Sequence, residues 1–490
     1  MKPTIIGREK EQLTLQALID SKQPEFLAIY GRRRVGKTHL IREFFEPRVN
    51  IFFSVTGQNG ASLTQQLHHF KQALEKTFYS DNPLPAFNNW HDALSLLAEN
   101  VDRHLKNNST HKLAIFIDEL PWLATRRSGL VPAIDLIWNT RLSRLPAVSF
   151  IVCGSAASWM IEQLIQNKGG LHNRVTARIN LKPFDLVETK VYLAALGVKM
   201  STQQIIELYM AIGGIPYYLN QIKKGQSSSQ AIADLCFDQN GLLYDEFDRL
   251  FSALFGHSDI YENIVRTIAK KKKGVLRDEL IALVGQTTGG TMQKRLRECE
   301  EAGFITQFVP YGQQRRDTAF RIIDPYVFFY LKWIDKAPRG IFANDGRNYW
   351  QNQRSSPTYS SWSGYAFESL CLNHINIIKA ALGLQQVSAI AGTWHYVTTK
   401  NKTKEMGAQI DLLLDRDDGI ITICELKYSD KPFTIDKKYA TELKRKIDIF
   451  ESVSKTTKQV QLVMVTLNGF KPNIWSEDLV DNTINFSSVI

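Results

Sequence analysis

Compact apolar runs punctuate the first part of this chain. Phe26-Leu27-Ala28-Ile29-Tyr30, Ile51-Phe52-Phe53-Ser54-Val55, Leu113-Ala114-Ile115-Phe116-Ile117 and Phe150-Ile151-Val152-Cys153 show little polar alternation. Such runs suit strands buried on both faces of a parallel sheet. Amphipathic stretches lie between them, as over residues 12–20 and 39–44. Strand and helix alternate over residues 1–195, which predicts a doubly wound α/β domain. Residues 196–255 read as a helical lid, interrupted by Gly213-Gly214-Ile215-Pro216-Tyr217-Tyr218-Leu219. Residues 256–335 predict helices over 260–271, 276–284 and 290–302, then two strands around Tyr311-Gly312-Gln313-Gln314-Arg315-Arg316. Three helices and a β-hairpin form a winged-helix pattern. Residues 336–360 are polar, with Gln351-Asn352-Gln353-Arg354-Ser355-Ser356-Pro357, and predict a linker. A last α/β unit fills residues 361–490.

The first run leads into Gly31-Arg32-Arg33-Arg34-Val35-Gly36-Lys37-Thr38, and a helix follows. A glycine-bounded loop between strand and helix turns its backbone N–H groups around phosphates, with the positive helix end behind them. Lys37 reaches the β/γ-phosphates in such a loop and Thr38 ligands Mg²⁺, so ATP and Mg²⁺ are the expected cofactors. An ordinary Gly-rich turn does not account for a Lys-Thr pair opening a helix. The third run ends in Asp118-Glu119. At the carboxyl end of a buried strand, Asp118 would hold the Mg²⁺ shell and Glu119 would polarise the attacking water.

A second constellation stands near the C-terminus: Gln409-Ile410-Asp411-Leu412-Leu413-Leu414-Asp415, then Ile420-Ile421-Thr422-Ile423-Cys424-Glu425-Leu426-Lys427. The intervening Asp417-Asp418-Gly419 suits a three-residue hairpin loop with Gly419 left-handed. That register sets Asp411 opposite Glu425, about 4.5–5.5 Å apart at Cβ. Period-two alternation puts Lys427 on the face of Glu425. Two carboxylates so close repel unless a cation or proton is shared, and Mg²⁺ takes oxygen ligands of this kind. Glu368, on a helix just before the hairpin, adds a third candidate ligand. Asp411, Glu425 and Lys427 thus make a candidate phosphodiesterase site. An edge hairpin with exposed charges is the plain alternative.

Charge and composition narrow the setting. Lys and Arg exceed Asp and Glu by 60 to 49, a net +11, which favours a polyanionic partner. The five cysteines are scattered and form no C-x-x-C pair, so they read as reduced, mostly buried thiols of a cytoplasmic protein. The histidines show no zinc spacing. No apolar run approaches the roughly 20 residues of a membrane span, so no membrane partner is expected.

The Arg-Arg-Arg-Val-Gly-Lys-Thr loop, the Gly213–Leu219 turn and Asp411…Glu425-x-Lys427, in this order, resemble the prokaryotic ATPases called the archaeal ATPase family. These are P-loop proteins of the AAA+/STAND type, here with a C-terminal domain like the PD-(D/E)xK, restriction-endonuclease-like nucleases. The resemblance implies that Ser155 is the polar sensor near the γ-phosphate. It implies an arginine finger at Arg174 or Arg178, and a lid turn at Gly214 and Pro216 that senses nucleotide. It also implies a homo-oligomer through the ATPase domain. The family's Pro-Asp element has no proline here, since Gln409-Ile410 precedes Asp411, and that bears on cleavage more than on fold. Basic residues at Lys270–Lys273, Lys294, Arg295, Arg297 and Arg315-Arg316, and at Lys437, Lys438, Lys444, Arg445 and Lys446, suit contact with DNA phosphates. Two functions follow: an ATPase that couples nucleotide state to DNA engagement, or a STAND-like signalling switch whose nuclease fold is an interaction module.

Overall fold

The computed structural model describes residues 5–125, 127–165, 171, 173–255, 257–271, 274–285, 290–338, 340–396 and 407–490. The chain divides into two compact units. One comprises the residues up to Pro183 with Ile215–Tyr217 and Glu301–Gly303, and the other takes the rest.

The first unit holds one parallel sheet of β1 Glu25–Tyr30, β2 Ile51–Thr56, β3 Leu113–Asp118, β4 Val148–Gly154 and β5 Ala177–Asn180. The strand order is β2-β3-β4-β1-β5. The four long runs become the four longer strands; β1, β3 and β4 are buried on both faces, while burial in β2 alternates. Phe26, Phe53, Ile115 and Phe150 share a core with the helices Leu63–Phe78, Trp90–Asn107 and Leu130–Thr140. β5 is not expected from sequence, because only Ile179 of its four residues is buried. β3, β4 and β1 are adjacent, so the residues that follow each strand converge at one edge of the sheet.

In the second unit the helix Thr202–Ile212 ends at Gly213; the single turn Pro216–Leu219 that follows has Pro216 and Tyr217 in the first unit and Tyr218 and Leu219 in the second. The helices Ser228–Cys236 and Glu246–Leu254 follow. Helices Ser258–Ala269, Arg277–Val284 and Gly290–Glu301 accompany an antiparallel sheet of β6 Val275–Leu276, which lies between the first two helices, β7 Ile305–Phe308 and β8 Ala319–Ile322. The segment between β7 and β8 is docked on the C-terminal sheet. Tyr311 N donates to Thr393 O at 2.8 Å, and the Tyr311 ring lies 5.8 Å from that of Phe450. That sheet contains β9 Ala389–Tyr396, β10 Ala408–Arg416, β11 Ile420–Lys427, β12 Gln459–Thr466 and β13 Asn482–Asn485, in the order β13-β12-β11-β10-β9. β9, β10 and β11 run antiparallel, while β11, β12 and β13 run parallel.

The expected linker at 336–360 is a correction. Helices Ile341–Asn344 and Gly346–Arg354 occupy it, and Pro357–Asn373 begins within it. Ser356 caps that last helix at the N–H of Tyr359, and Pro357 sits in its first turn, so the Ser-Pro pair starts a helix. The polar composition concealed an aromatic anchor. Trp350 is fully buried, with its ring 5.2 Å from both Phe237 and Phe329 and 5.7 Å from Trp333. Trp350→Ala is therefore expected to destabilise the protein by about 3–5 kcal/mol in denaturant unfolding. A linker residue would show no change.

Candidate functional site

The phosphate loop runs from the end of β1 into the helix Lys37–Phe45. Gly31 has φ 142°, and a Cβ there would lie 2.2 Å from Leu181 O. Gly36, at φ 92°, is a left-handed N-cap with no side chain to offer the helix. The helices Leu63–Phe78 and Thr202–Ile212 instead begin with complete capping boxes. The first N–H groups of the Lys37–Phe45 helix therefore have no side-chain cap and point toward the loop, an arrangement suited to an anion.

Five predicted residues meet there. Lys37 is buried, and its Nζ donates to Gly31 O at 3.0 Å, Arg32 O at 2.9 Å and Ser155 Oγ at 3.0 Å. Thr38 Oγ1 donates to Asp118 Oδ2 at 2.9 Å, while Asp118 Oδ1 accepts from Glu119 N at 3.0 Å. Glu119 is left-handed at φ 48°. Its carboxylate accepts from Ser155 N at 3.1 Å and Ser155 Oγ at 2.6 Å. Lys37, Ser155 and Glu119 are thus linked in one chain, with Ser155 holding the expected general base. A hydroxyl beside a carboxylate gives hard oxygen donors that fit Mg²⁺, and the buried ammonium fits a phosphate.

The loop's arginines are placed differently. Arg32 is buried, Arg33 and Val35 complete the turn, and Arg34 is left-handed at φ 69° with its guanidinium 4.7 Å from the Tyr217 ring centroid. That contact ties the loop to the Pro216-Tyr217 turn. Gly214 is held by a close approach, since a Cβ would lie 1.9 Å from Phe184 O. Arg174 and Arg178 are both exposed, the first in the turn before β5 and the second within it. Sequence reasoning missed Arg8. It is buried at φ 62°, and its Nη2 donates to Val35 O at 3.1 Å, bracing the loop from below. A Gly-Arg pair just ahead of the first helix was the available signal.

The C-terminal hairpin has the expected register. Leu412 pairs with Cys424 and Leu413 with Ile423, which sets Asp411 opposite Glu425, and Gly419 is left-handed at φ 84°. It is not an edge hairpin, because β10 and β11 lie inside the sheet. Glu425 is buried rather than open. It accepts from Tyr439 Oη at 2.6 Å and pairs with Lys446 at 2.7 Å and Lys427 at 3.1 Å. Burial raises its pKa, but the two lysines and the tyrosine outweigh that and hold it below the usual carboxylate range. Lys446, expected on a phosphate-facing surface, turns inward instead. Lys437, Lys438 and Lys444 of the same helix, Lys437–Ser454, are exposed.

Asp411 accepts from Gln409 Nε2 at 2.5 Å and is raised by burial and by Glu425. Glu368 is pushed up to about 8 by burial and by the Asp411 charge. Among the described residues no group of three or more His, Cys, Asp or Glu is placed to hold a metal ion. Glu425 is held by Lys446, Lys427 and Tyr439. Glu368 and Asp411 remain as two crowded carboxylates, a pair whose repulsion a divalent cation would relieve and which fits Mg²⁺. A folded-state pKa raised from 4.5 to about 8 means that the Glu368 contribution to stability is present below pH 4.5 and lost as pH rises through 8. Glu368→Gln is expected to flatten the fall in stability between those values in pH-dependent unfolding.

Of the remaining basic residues, Lys271 pairs with Glu279 at 2.8 Å, and Lys270, Lys294, Arg297 and Arg316 are exposed. Lys272 and Lys273 lie outside the described residues. All five cysteines are buried and free. Among the described residues no helix is long and apolar enough to cross a membrane.

A parallel five-stranded sheet with this loop at its edge defines a P-loop ATPase-like fold. Residues 5–222 match the model of the family described as an ATPase domain predominantly from Archaea. An uncharacterised protein of Methanocaldococcus jannaschii is 24% identical over 453 residues, which are 90% of this chain and 91% of its own. Among solved structures, the Walker-type ATPase of Pyrococcus abyssi is similar over 67% of this chain and 96% of its own, at TM-score 0.47 and 19% identity. The ORC2 protein of Aeropyrum pernix is similar over 73% of this chain and 97% of its own, at TM-score 0.43 and 15% identity.

Proposed function

We propose that the protein binds and hydrolyses ATP with Mg²⁺ and couples nucleotide state to engagement of DNA by its C-terminal half. The observation that carries the ATPase reading is the linked cluster of Lys37, Ser155, Glu119, Asp118 and Thr38 on a loop inside the family match. Mg²⁺ would be held by Thr38 and Asp118 and would neutralise phosphate charge. Lys37 exchanges its loop carbonyls for phosphate oxygens. Ser155 then shifts toward the phosphate and releases the Glu119 carboxylate to take a proton from water. Arg174 or Arg178 acts on transition-state charge, in cis or from a neighbouring copy. Glu119→Gln should keep ATP affinity while turnover falls about 100-fold or more, since an amide cannot serve as base. Turnover at the wild-type rate would remove Glu119 from that role. The same assay on Arg174→Ala and Arg178→Ala, alone and mixed with Lys37→Ala protein, reads a trans arginine as partial recovery.

The C-terminal site is proposed as a Mg²⁺-dependent nuclease centre, with Glu368 and Asp411 as ligands and Lys427 acting on water or phosphate. The basic surfaces of the Gly290–Glu301 and Lys437–Ser454 helices supply phosphate contacts, and residues 256–335 serve as a winged helix. One observation favours the second reading, a nucleotide-controlled switch with an inactive interaction module. Glu425 is neutralised by ion pairs with Lys446 and Lys427.

A further inference from the structure

We infer that Arg321 and the Glu368/Asp411 pair form opposite walls of one site for a phosphodiester of single-stranded nucleic acid. This rests on the proposed nuclease reading of the C-terminal domain. A cavity of about 90 Å³ lies between the β6–β8 sheet and the C-terminal sheet, and Phe308, Arg321, Tyr365, Glu368, Trp394 and Asp411 line it. Arg321 enters from β8. Phe320 and Ile322 on either side are buried, and Arg321 reaches the cavity, where it lies beside Ile322.

Among the described residues Arg321 is ion-paired with no carboxylate, although Glu368 and Asp411 share the cavity. Among the described residues the buried Arg321 Nε has no hydrogen-bond partner, and the guanidinium lies 5.4 Å from the Phe308 ring centroid. Burial alone pushes its pKa down, to about 10, with no carboxylate acting against it. An arginine kept desolvated and without an ion pair suits an anionic ligand that brings its own oxygens, and a planar guanidinium matches a phosphate by two parallel hydrogen bonds. The opposite wall explains why the anion should be a phosphodiester rather than a carboxylate. Asp411 and Glu368 lie in the same lining, as acids that share a cation with a phosphate oxygen do. The half-buried Tyr365 ring in the lining offers a stacking surface for a base, which single strands expose and duplexes do not. A cavity this small, walled by two subdomains joined through Tyr311 and Thr393, has no room for a duplex. A free nucleotide shares the phosphate chemistry, so the test separates the two sources.

Full-length protein is titrated into fluorescent single-stranded DNA, a duplex of the same sequence, AMP and inorganic phosphate, all in EDTA and over a salt series. Wild type is expected to prefer the single strand. Arg321→Gln is expected to weaken that binding about tenfold and to lower the salt slope by about one. Arg321→Met is expected to weaken it equally while raising the Tm, because an uncompensated buried charge has been removed. Single-strand affinity and slope unchanged in both variants would overturn the inference. So would a fall in Tm for Arg321→Met, which marks a structural arginine, or Arg321-dependent binding of AMP or phosphate with no preference for the strand. Asp411→Asn keeps the two readings apart. If wild type cuts DNA with Mg²⁺, Asp411→Asn does not, and Arg321→Gln binds and cuts normally, only the Arg321 assignment fails. If wild type binds no strand at all, both fail together.

Discussion

Lys37→Ala protein is expected to lose ATP binding. The ammonium is buried and held by two loop carbonyls and the Ser155 hydroxyl, all neutral acceptors. These bonds are weaker than those it makes to phosphate, so the exchange on binding is favourable. Removing one partner of a buried, hydrogen-bonded charge pair costs about 2–5 kcal/mol, which is a loss of about 30-fold or more in affinity. Calorimetry with ATP and Mg²⁺ reads it directly. Arg8 braces the same loop, donating to Val35 O. Unchanged affinity would take Lys37 out of the site.

Glu425→Gln and Asp411→Asn are expected to move stability in opposite directions. Two opposed carboxylates suggest that neutralising either one relieves repulsion. The hydrogen bonds say otherwise for Glu425, which balances Lys446 and Lys427 in a buried site and accepts from Tyr439. Its amide would leave Lys446 buried without a counter-charge, at a cost of about 3–5 kcal/mol. Asp411→Asn removes the negative charge that opposes Glu425 and Glu368, so it should be neutral or stabilising. Denaturant unfolding of the two variants checks the sign. Stabilisation by Glu425→Gln would mean that the lysines are not its partners.

Both motifs were legible because their chemistry is local. A loop of eight residues specifies its own backbone path, and a three-residue hairpin loop fixes the register that sets Asp411 opposite Glu425. What lay on the other side of each was not legible. Lys446 reads as one more lysine on a basic helix until the helix packs and turns it inward. Tyr349 and Trp350 sit among Asn, Gln and Arg, and two adjacent aromatics in a polar stretch carry no periodicity to reveal which is buried. β5 is too short and too polar in alternation to register as a buried strand; its place beside β1 depends on the sheet already being there. Ser155 is visible as a residue after a strand. Its grip on Glu119 is set by the adjacency of β3 and β4, which is a property of strand order.

Steady-state ATP turnover of the full-length protein, with and without DNA at low salt, tests the coupling of nucleotide to DNA most directly. Turnover should rise severalfold with DNA, fall back as salt screens the phosphate contacts, and vanish in Glu119→Gln. Robust ATP hydrolysis that is identical with single-stranded DNA, duplex DNA or none would contradict the coupling and leave the nucleotide-controlled switch.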